Sequence, residues 1–121
     1  GLLVLPLWIA SCSDGGGGGD PDLKYVAEIE DEGSRCEIEV EYNNRDGERR
    51  TLRDQSAPWS YQFHQSDGAH LYLAVSPECD RARAELYIDG HRVAHDSSTY
   101  KAEIDGYLRV DSAGNAWFDP S

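Results

Sequence analysis

The sequence predicts an all-β chain: an antiparallel, immunoglobulin-like β-sandwich of seven to nine short strands, preceded by an apolar leader and a glycine-rich linker. Three observations predict it. From Leu23 onward apolar and polar residues alternate with period two, and the three-to-four-residue recurrence of an amphipathic helix is almost absent. Turn signals punctuate that alternation at Asn43-Asn44-Arg45-Asp46-Gly47, Ser66-Asp67-Gly68, Asp89-Gly90 and Asp105-Gly106. The stretch 23–121 is roughly a hundred residues, the size of one small domain. A closed barrel is the second architecture this pattern allows.

The leader comes first in the chain. Its apolar run, Leu2 to Ile9, is shorter than the roughly 20 residues a membrane-spanning helix needs, and it suits the apolar region of a secretory signal. The run ends in Ile9-Ala10-Ser11-Cys12, which resembles a bacterial lipobox: an aliphatic residue, two small residues and a cysteine. That resemblance implies that 1–11 is a signal peptide and that Cys12 is acylated and becomes the mature N-terminus. The chain opens on Gly1, with no Lys or Arg before Leu2, so the signal is expected to be truncated there. Residues 12–22, with five consecutive glycines, read as the anchor and a flexible leash of about 17–19 Å mean span. Ser13, rather than Asp, follows the cysteine, which in the lipoprotein sorting scheme points to the outer membrane over the inner.

The chain has three cysteines, an odd count that calls for an explanation in an exported protein. Lipid on Cys12 leaves Cys36 and Cys79 as an even pair. An oxidising envelope makes a disulfide between them the expectation, worth about 3–4 kcal/mol in the chain-entropy account.

Within 23–121 the strands follow in order. Leu23, Tyr25, Ala27 and Ile29 alternate with Lys24, Val26, Glu28 and Glu30. After a turn at Asp31–Ser34, Cys36, Ile38, Val40 and Tyr42 face one way and Glu37, Glu39 and Glu41 the other, giving one core face and one solvated face. The returning strand, Glu48 to Asp54, is rich in arginine and reads as an exposed edge whose cations face the glutamate row. Pro58 breaks the ladder, after which Trp59, Tyr61 and Phe63 enter the core together. His70 to Ser76 is apolar on both faces and belongs mid-sheet. Ala82 to Ile88 and His91 to His95 form a hairpin about Asp89-Gly90, and Tyr100 to Ile104 is expected to turn at Asp105-Gly106 into Tyr107 to Val110. The tail, Asp111 to Ser121, has little pattern, and Trp117 and Phe118 are expected to pack on the sandwich.

Charge narrows the partners. A net −12 on a small domain opposes nucleic acid and acidic lipid, so the membrane is reached through the lipid anchor. Chemistry is sparse. His91 and His95 have the spacing that pairs zinc ligands on a helix, but on a strand it separates them by about 13 Å. His64 and His70 flank the Ser66-Asp67-Gly68 turn without a third ligand. No nucleophile elbow or phosphate loop is present. The expectation is therefore a non-enzymatic domain without metal or cofactor. Its candidate partner or ligand surface is Arg49, Arg50, Arg53 and Tyr87.

Ala57-Pro58-Trp59-Ser60 and Leu86-Tyr87-Ile88-Asp89-Gly90 resemble the MmpS family of small membrane-anchored envelope proteins. The order of that family's motifs is matched by Glu41-Tyr42 to Asp46-Gly47, Trp59 to Phe63, Leu71-Tyr72-Leu73 and Ile88-Asp89-Gly90, so the resemblance spans Tyr25 to Val110. It implies a β-sandwich that accompanies RND-type lipid or siderophore exporters and carries no catalytic residues. The functional expectation is a non-enzymatic, lipid-anchored envelope domain that binds a protein partner, with such a transport system as the candidate. The alternative is a sandwich lipoprotein that binds a cation or a glycan.

Overall fold

Alternating sequence becomes strand wherever one face can be buried, and among the described residues nine segments do so. The computed structural model describes residues 20–30, 37–78 and 80–121. The strands are β1 Asp22–Ile29, β2 Glu37–Asn43, β3 Arg49–Ser56, β4 Trp59–His64, β5 His70–Pro77, β6 Ala82–Ile88, β7 His91–Ser98, β8 Ala102–Val110 and β9 Ala116–Pro120. All pairings are antiparallel. A four-stranded sheet runs β4-β1-β6-β7 and a five-stranded sheet β3-β2-β5-β8-β9. The inner faces of both share one core, including Leu23, Tyr25, Ile38, Val40, Leu73, Leu86 and Leu108. The protein is therefore an antiparallel β-sandwich of the immunoglobulin-like layer architecture with its own strand order.

Several expectations hold at the level of residues. β5 is the middle strand of its sheet and β3 an edge. Asp89 and Gly90, at φ 49° and 85°, make the tight turn between β6 and β7, where left-handed backbone matches the twist of the flanking strands. Arg49 and Arg53 face Glu41 and Glu39 across the β2–β3 hairpin at 3.7 and 3.5 Å.

Others are corrected. Asp105-Gly106 is not a turn: β8 runs straight through it. A Cβ on Gly106 would meet the Phe118 ring at 2.6 Å and the Asp119 carbonyl, so this glycine makes room for β9 to close over β8. The tail forms that ninth strand. Its turn is set by Asp111, whose carboxylate accepts from the Ala113 and Asn115 amides at 3.0 and 2.9 Å. Phe118 packs on the core, whereas Trp117 faces out at 47% exposure. The Ser66-Asp67-Gly68 segment carries the chain from one sheet to the other, which separates His64 from His70. The segment 1–11, Cys12, Cys36 and Cys79 lie outside the described residues. The chain neighbours of the latter two cysteines are paired, with the Glu78 N–H donating to the Glu37 carbonyl at 3.1 Å.

A buried side chain ties the sheets together through the core. β2 and β5 pair from Ile38 with Pro77 to Tyr42 with Leu73. Bonded and non-bonded pairs alternate along an antiparallel ladder, so after the bonded Glu37/Glu78 pair the next free bonded position is Asn43/Tyr72. Tyr25 of β1, in the opposite sheet, occupies that rung: its hydroxyl donates to the Asn43 carbonyl at 2.9 Å and accepts from the Tyr72 N–H at 3.3 Å. Its ring is fully buried and packs on Phe63, Tyr42 and Tyr61 at centroid distances of 5.0, 6.1 and 6.3 Å. Burial pushes the hydroxyl far above the ordinary tyrosine range, so it stays protonated and able to donate.

Tyr25→Phe keeps the ring but strands a buried carbonyl and a buried N–H. The expected cost is about 1–3 kcal/mol, read in urea unfolding as a lower midpoint at unchanged slope. An unchanged midpoint would contradict the bridging role.

Candidate functional site

The outer face of the four-stranded sheet carries the site. Leu23 and Tyr25 point into the core, so Lys24 between them points out. Its cross-strand partners are Gln62 on β4 and Tyr87 on β6, and Tyr87 in turn faces Arg92 on β7. Gln62, Lys24, Tyr87 and Arg92 thus form one row across all four strands.

Beneath Tyr87 lies a buried carboxylate. Glu85 is 6% exposed although it points outward. Arg92 Nη1 bonds it at 2.9 Å, Arg83 Nε stands 3.6 Å away and the Tyr87 hydroxyl donates to it at 3.1 Å. Arg83 also holds Glu28. Removing a carboxylate from water is costly unless it is paired and hydrogen-bonded; Arg92 and Tyr87 supply the hydrogen bonds, while Arg83 adds only its charge, its Nε having no hydrogen-bond partner among the described residues. Arg92 reaches it because the β6–β7 register slips between Leu86 and Tyr87. The extra residue, Val93, is a β-bulge.

That arrangement fixes Tyr87. A hydroxyl bonded to a side chain two residues back on its own strand requires the ring to lie along β6 instead of standing off it. Desolvation, and then the bond to Glu85, raise its hydroxyl pKa. Lys24 Nζ sits over the ring, 5.9 Å from its centroid.

Asp22 closes the row at the start of β1. Its N–H donates to Asp89 Oδ1 at 2.9 Å, its carbonyl accepts from the Asp89 N–H at 2.8 Å, and Gln62 Nε2 donates to its Oδ2 at 2.8 Å. Its other oxygen, Oδ1, is shielded from solvent and has no hydrogen-bond partner among the described residues. His64 Nε2 is 3.9 Å from it, beyond hydrogen-bond reach. Asp22, Lys24, Gln62, Tyr87 and Gly90 line a partly open cleft of about 320 Å³, within the range of small-ligand sites.

Of the residues singled out from sequence, Tyr87 is in this cleft and the arginines are not. Arg49, Arg50 and Arg53 stand on β3, in the other sheet, and each is paired with a carboxylate, Arg50 with Glu48 at 3.1 Å. Arg49 is further engaged, 3.8 Å over the Tyr72 ring and donating to Asn43 Oδ1 at 2.6 Å. The Val93 bulge sets His91 and His95 on opposite faces of β7. His70 is bound to Asp105 at 2.6 Å on the five-stranded sheet. Glu37, Asp54 and Glu78 bring carboxylate oxygens within 4.8 Å of one another, all on exposed side chains.

Sequence reasoning missed Asp22, which it left in the linker, and also Lys24, Gln62 and Glu85. The available signal was the position of Tyr87 two residues before the Asp89-Gly90 turn, which fixes its outward face. Compared with known proteins, the chain matches no family model and no curated protein.

Tyr25, Tyr42, Tyr72 and Tyr87 all have hydroxyl pKa values raised above the ordinary 10.0, first through desolvation. A tyrosine that ionises later in the folded state than in the unfolded one contributes stability that is complete below pH 10 and lost as pH rises through the folded values. Thermal midpoints are therefore expected to be flat between about pH 7 and pH 9 and to fall above pH 10. A midpoint that held constant up to pH 12 would count against these burials.

Proposed function

We propose that the chain is a non-enzymatic, lipid-anchored binding domain of the bacterial cell envelope that takes a small polar ligand in the Tyr87 cleft. The observation that carries this reading is the cleft itself, where a ring tied down through its hydroxyl, an ammonium group and a side-chain amide converge. Groups held in fixed geometry before binding lose little freedom on binding. The Ile9-Ala10-Ser11-Cys12 motif supports the anchor, and Ser13 supports the outer membrane.

A second reading, docking on an envelope protein such as an RND-type transporter, is favoured by Tyr100. It is 83% exposed in the β7–β8 connection, at the end of the sandwich away from the linker. An aromatic side chain left in water is a common anchor of protein contacts.

Native mass spectrometry of the full chain, extracted from bacterial membranes in detergent, tests the proposal. The expected result is acyl mass on Cys12, together with a non-covalent adduct that Tyr87→Ala loses. An unacylated Cys12 contradicts the anchor. No adduct, or an adduct that survives Tyr87→Ala, contradicts the cleft. A photo-crosslinker at position 100 that captures one envelope protein would establish the second reading.

A further inference from the structure

We infer that the open edge of β4 takes an extended segment of a partner protein, which adds a strand to the four-stranded sheet at a place distinct from the Tyr87 cleft and from Tyr100. The Glu30 N–H donates to the Arg81 carbonyl and the Asp89 N–H to the Asp22 carbonyl, both at 2.8 Å, so the even-numbered residues of β1 bond to β6. Backbone groups of successive residues point to opposite sides of a strand, which turns Leu23, Tyr25 and Ala27 toward Phe63, Tyr61 and Trp59 of β4. Ser60, Gln62 and His64 therefore direct their N–H and C=O groups away from the sheet. All three are exposed, and among the described residues no strand lies on that side of them.

The other three edges are protected against such pairing. β3 carries Arg49 and Arg53, and its ladder to β2 is broken between Ile38 and Val40. β7 has the Val93 bulge, and β9 is five residues long and ends at Pro120. β4 has no Lys, Arg, Asp, Glu or Pro, and its register with β1 is unbroken from Trp59 to His64.

The layers leave room for a single segment. Tyr25 fills a rung between β2 and β5, so β1 stands over the gap between those strands. β4, one strand further out, stands over the gap between β2 and β3, with Trp59 and Tyr61 each 5.0 Å from the Tyr42 ring. β3 thus projects beyond β4 as a ledge. Its Leu52 joins Trp59 and Tyr61 in a half-buried apolar strip inside the edge. A second copy pairing β4 with β4 would bring its own β3 into the same space, whereas one extended segment fits on the ledge. Such a segment bonds through its backbone and sets alternate apolar side chains against the strip.

Charge specifies one end of it. Every other described arginine is paired with a carboxylate, but Arg45 is not. It stands by the His64 end of the edge, its N–H donating to the Tyr61 hydroxyl at 3.2 Å and its carbonyl accepting from Gln65 Nε2. An antiparallel segment starts at that end, so its first residue is a carboxylate facing Arg45.

An amide-resolved NMR titration of the isotope-labelled full chain in detergent micelles tests this, with the acetylated and amidated peptide Asp-Thr-Val-Thr-Val-Thr as probe. In the free chain, the Ser60, Gln62 and His64 amides are expected to exchange at least about a hundredfold faster than those of Tyr61 and Phe63. The peptide should give saturable shifts at those three amides, and N-methylating its middle threonine, opposite Gln62, should weaken binding at least about tenfold. Ser60→Pro, which removes an N–H that β1 does not use, should weaken it similarly. Where that variant does not fold, the N-methylated peptide carries the test on the unaltered chain. Asparagine in place of the peptide's aspartate should cost about two- to fivefold, and nothing against Arg45→Gln. An equal cost in both overturns the Arg45 contact. Slow exchange at the three amides in the free chain, or a dimer that protects them, overturns the proposal because the edge is then already filled. Equal binding of the N-methylated peptide, shifts confined to other residues, or no response to millimolar peptide also overturns it.

Discussion

The hydroxyl of Tyr25 is the constraint on which the rest of this structure depends. A sandwich is two sheets held mainly by apolar contact, which has no direction and lets one layer slide over the other. Directionality comes from a hydrogen bond that crosses the layers. Tyr25 supplies it by taking the place of a rung in the opposite sheet, between Asn43 and Tyr72. The two strands of that rung are committed to a position relative to β1, because an empty rung in a dry core costs more than the bond contributes. The packing of Tyr42, Trp59, Tyr61 and Phe63 around it fills the volume that the long side chain needs.

β1 connects this constraint to the outer face. Along a strand, neighbours point opposite ways, so the register that seats Tyr25 also seats Lys24 and Asp22. β4 and β6 pair with β1 on its two sides and carry Gln62 and Tyr87 into line with Lys24. Asp22 and Asp89 exchange backbone and side-chain bonds that pin the β6–β7 turn to the start of β1. A slip of one residue in β1 would bury Lys24 and expose Tyr25, so core and cleft share a single register. The buried Glu85 works in the same direction at some energetic cost. Its pairing with Arg83, Arg92 and Tyr87 contributes little net stability for a group taken out of water, but it gives one aromatic ring a fixed orientation.

Much of the fold is legible in residue patterns because alternation and turn chemistry are local. The glutamate row of β2, the arginine-rich edge of β3, the apolar middle strand β5 and the Asp89-Gly90 hairpin all follow from neighbours in sequence. Where local rules fail, a distant contact decides. Gly106 follows an aspartate and looks like a turn, but its missing side chain leaves room for Phe118, twelve positions further on. The Asp111-Ser112-Ala113-Gly114-Asn115 turn went unread in a tail that shows little pattern, and β9 after it was obscured because Trp117 and Phe118 are adjacent and face opposite sides. The bulge at Val93 separates His91 from His95, and no period-two count can register it. The site was the least legible part. Tyr87 could be found as an outward tyrosine, but its neighbours come from β1 and β4, and which strand pairs with which is not written in either strand alone.

Native-state hydrogen exchange at the Tyr72 amide tests the central claim most directly, because that N–H donates across the sandwich to Tyr25 and has no partner in its own sheet at that rung. The account predicts that it exchanges only through global unfolding, as slowly as the amides in the middle of β5. Exchange through local opening, at the rate of a sheet-end amide in contact with water, would contradict it.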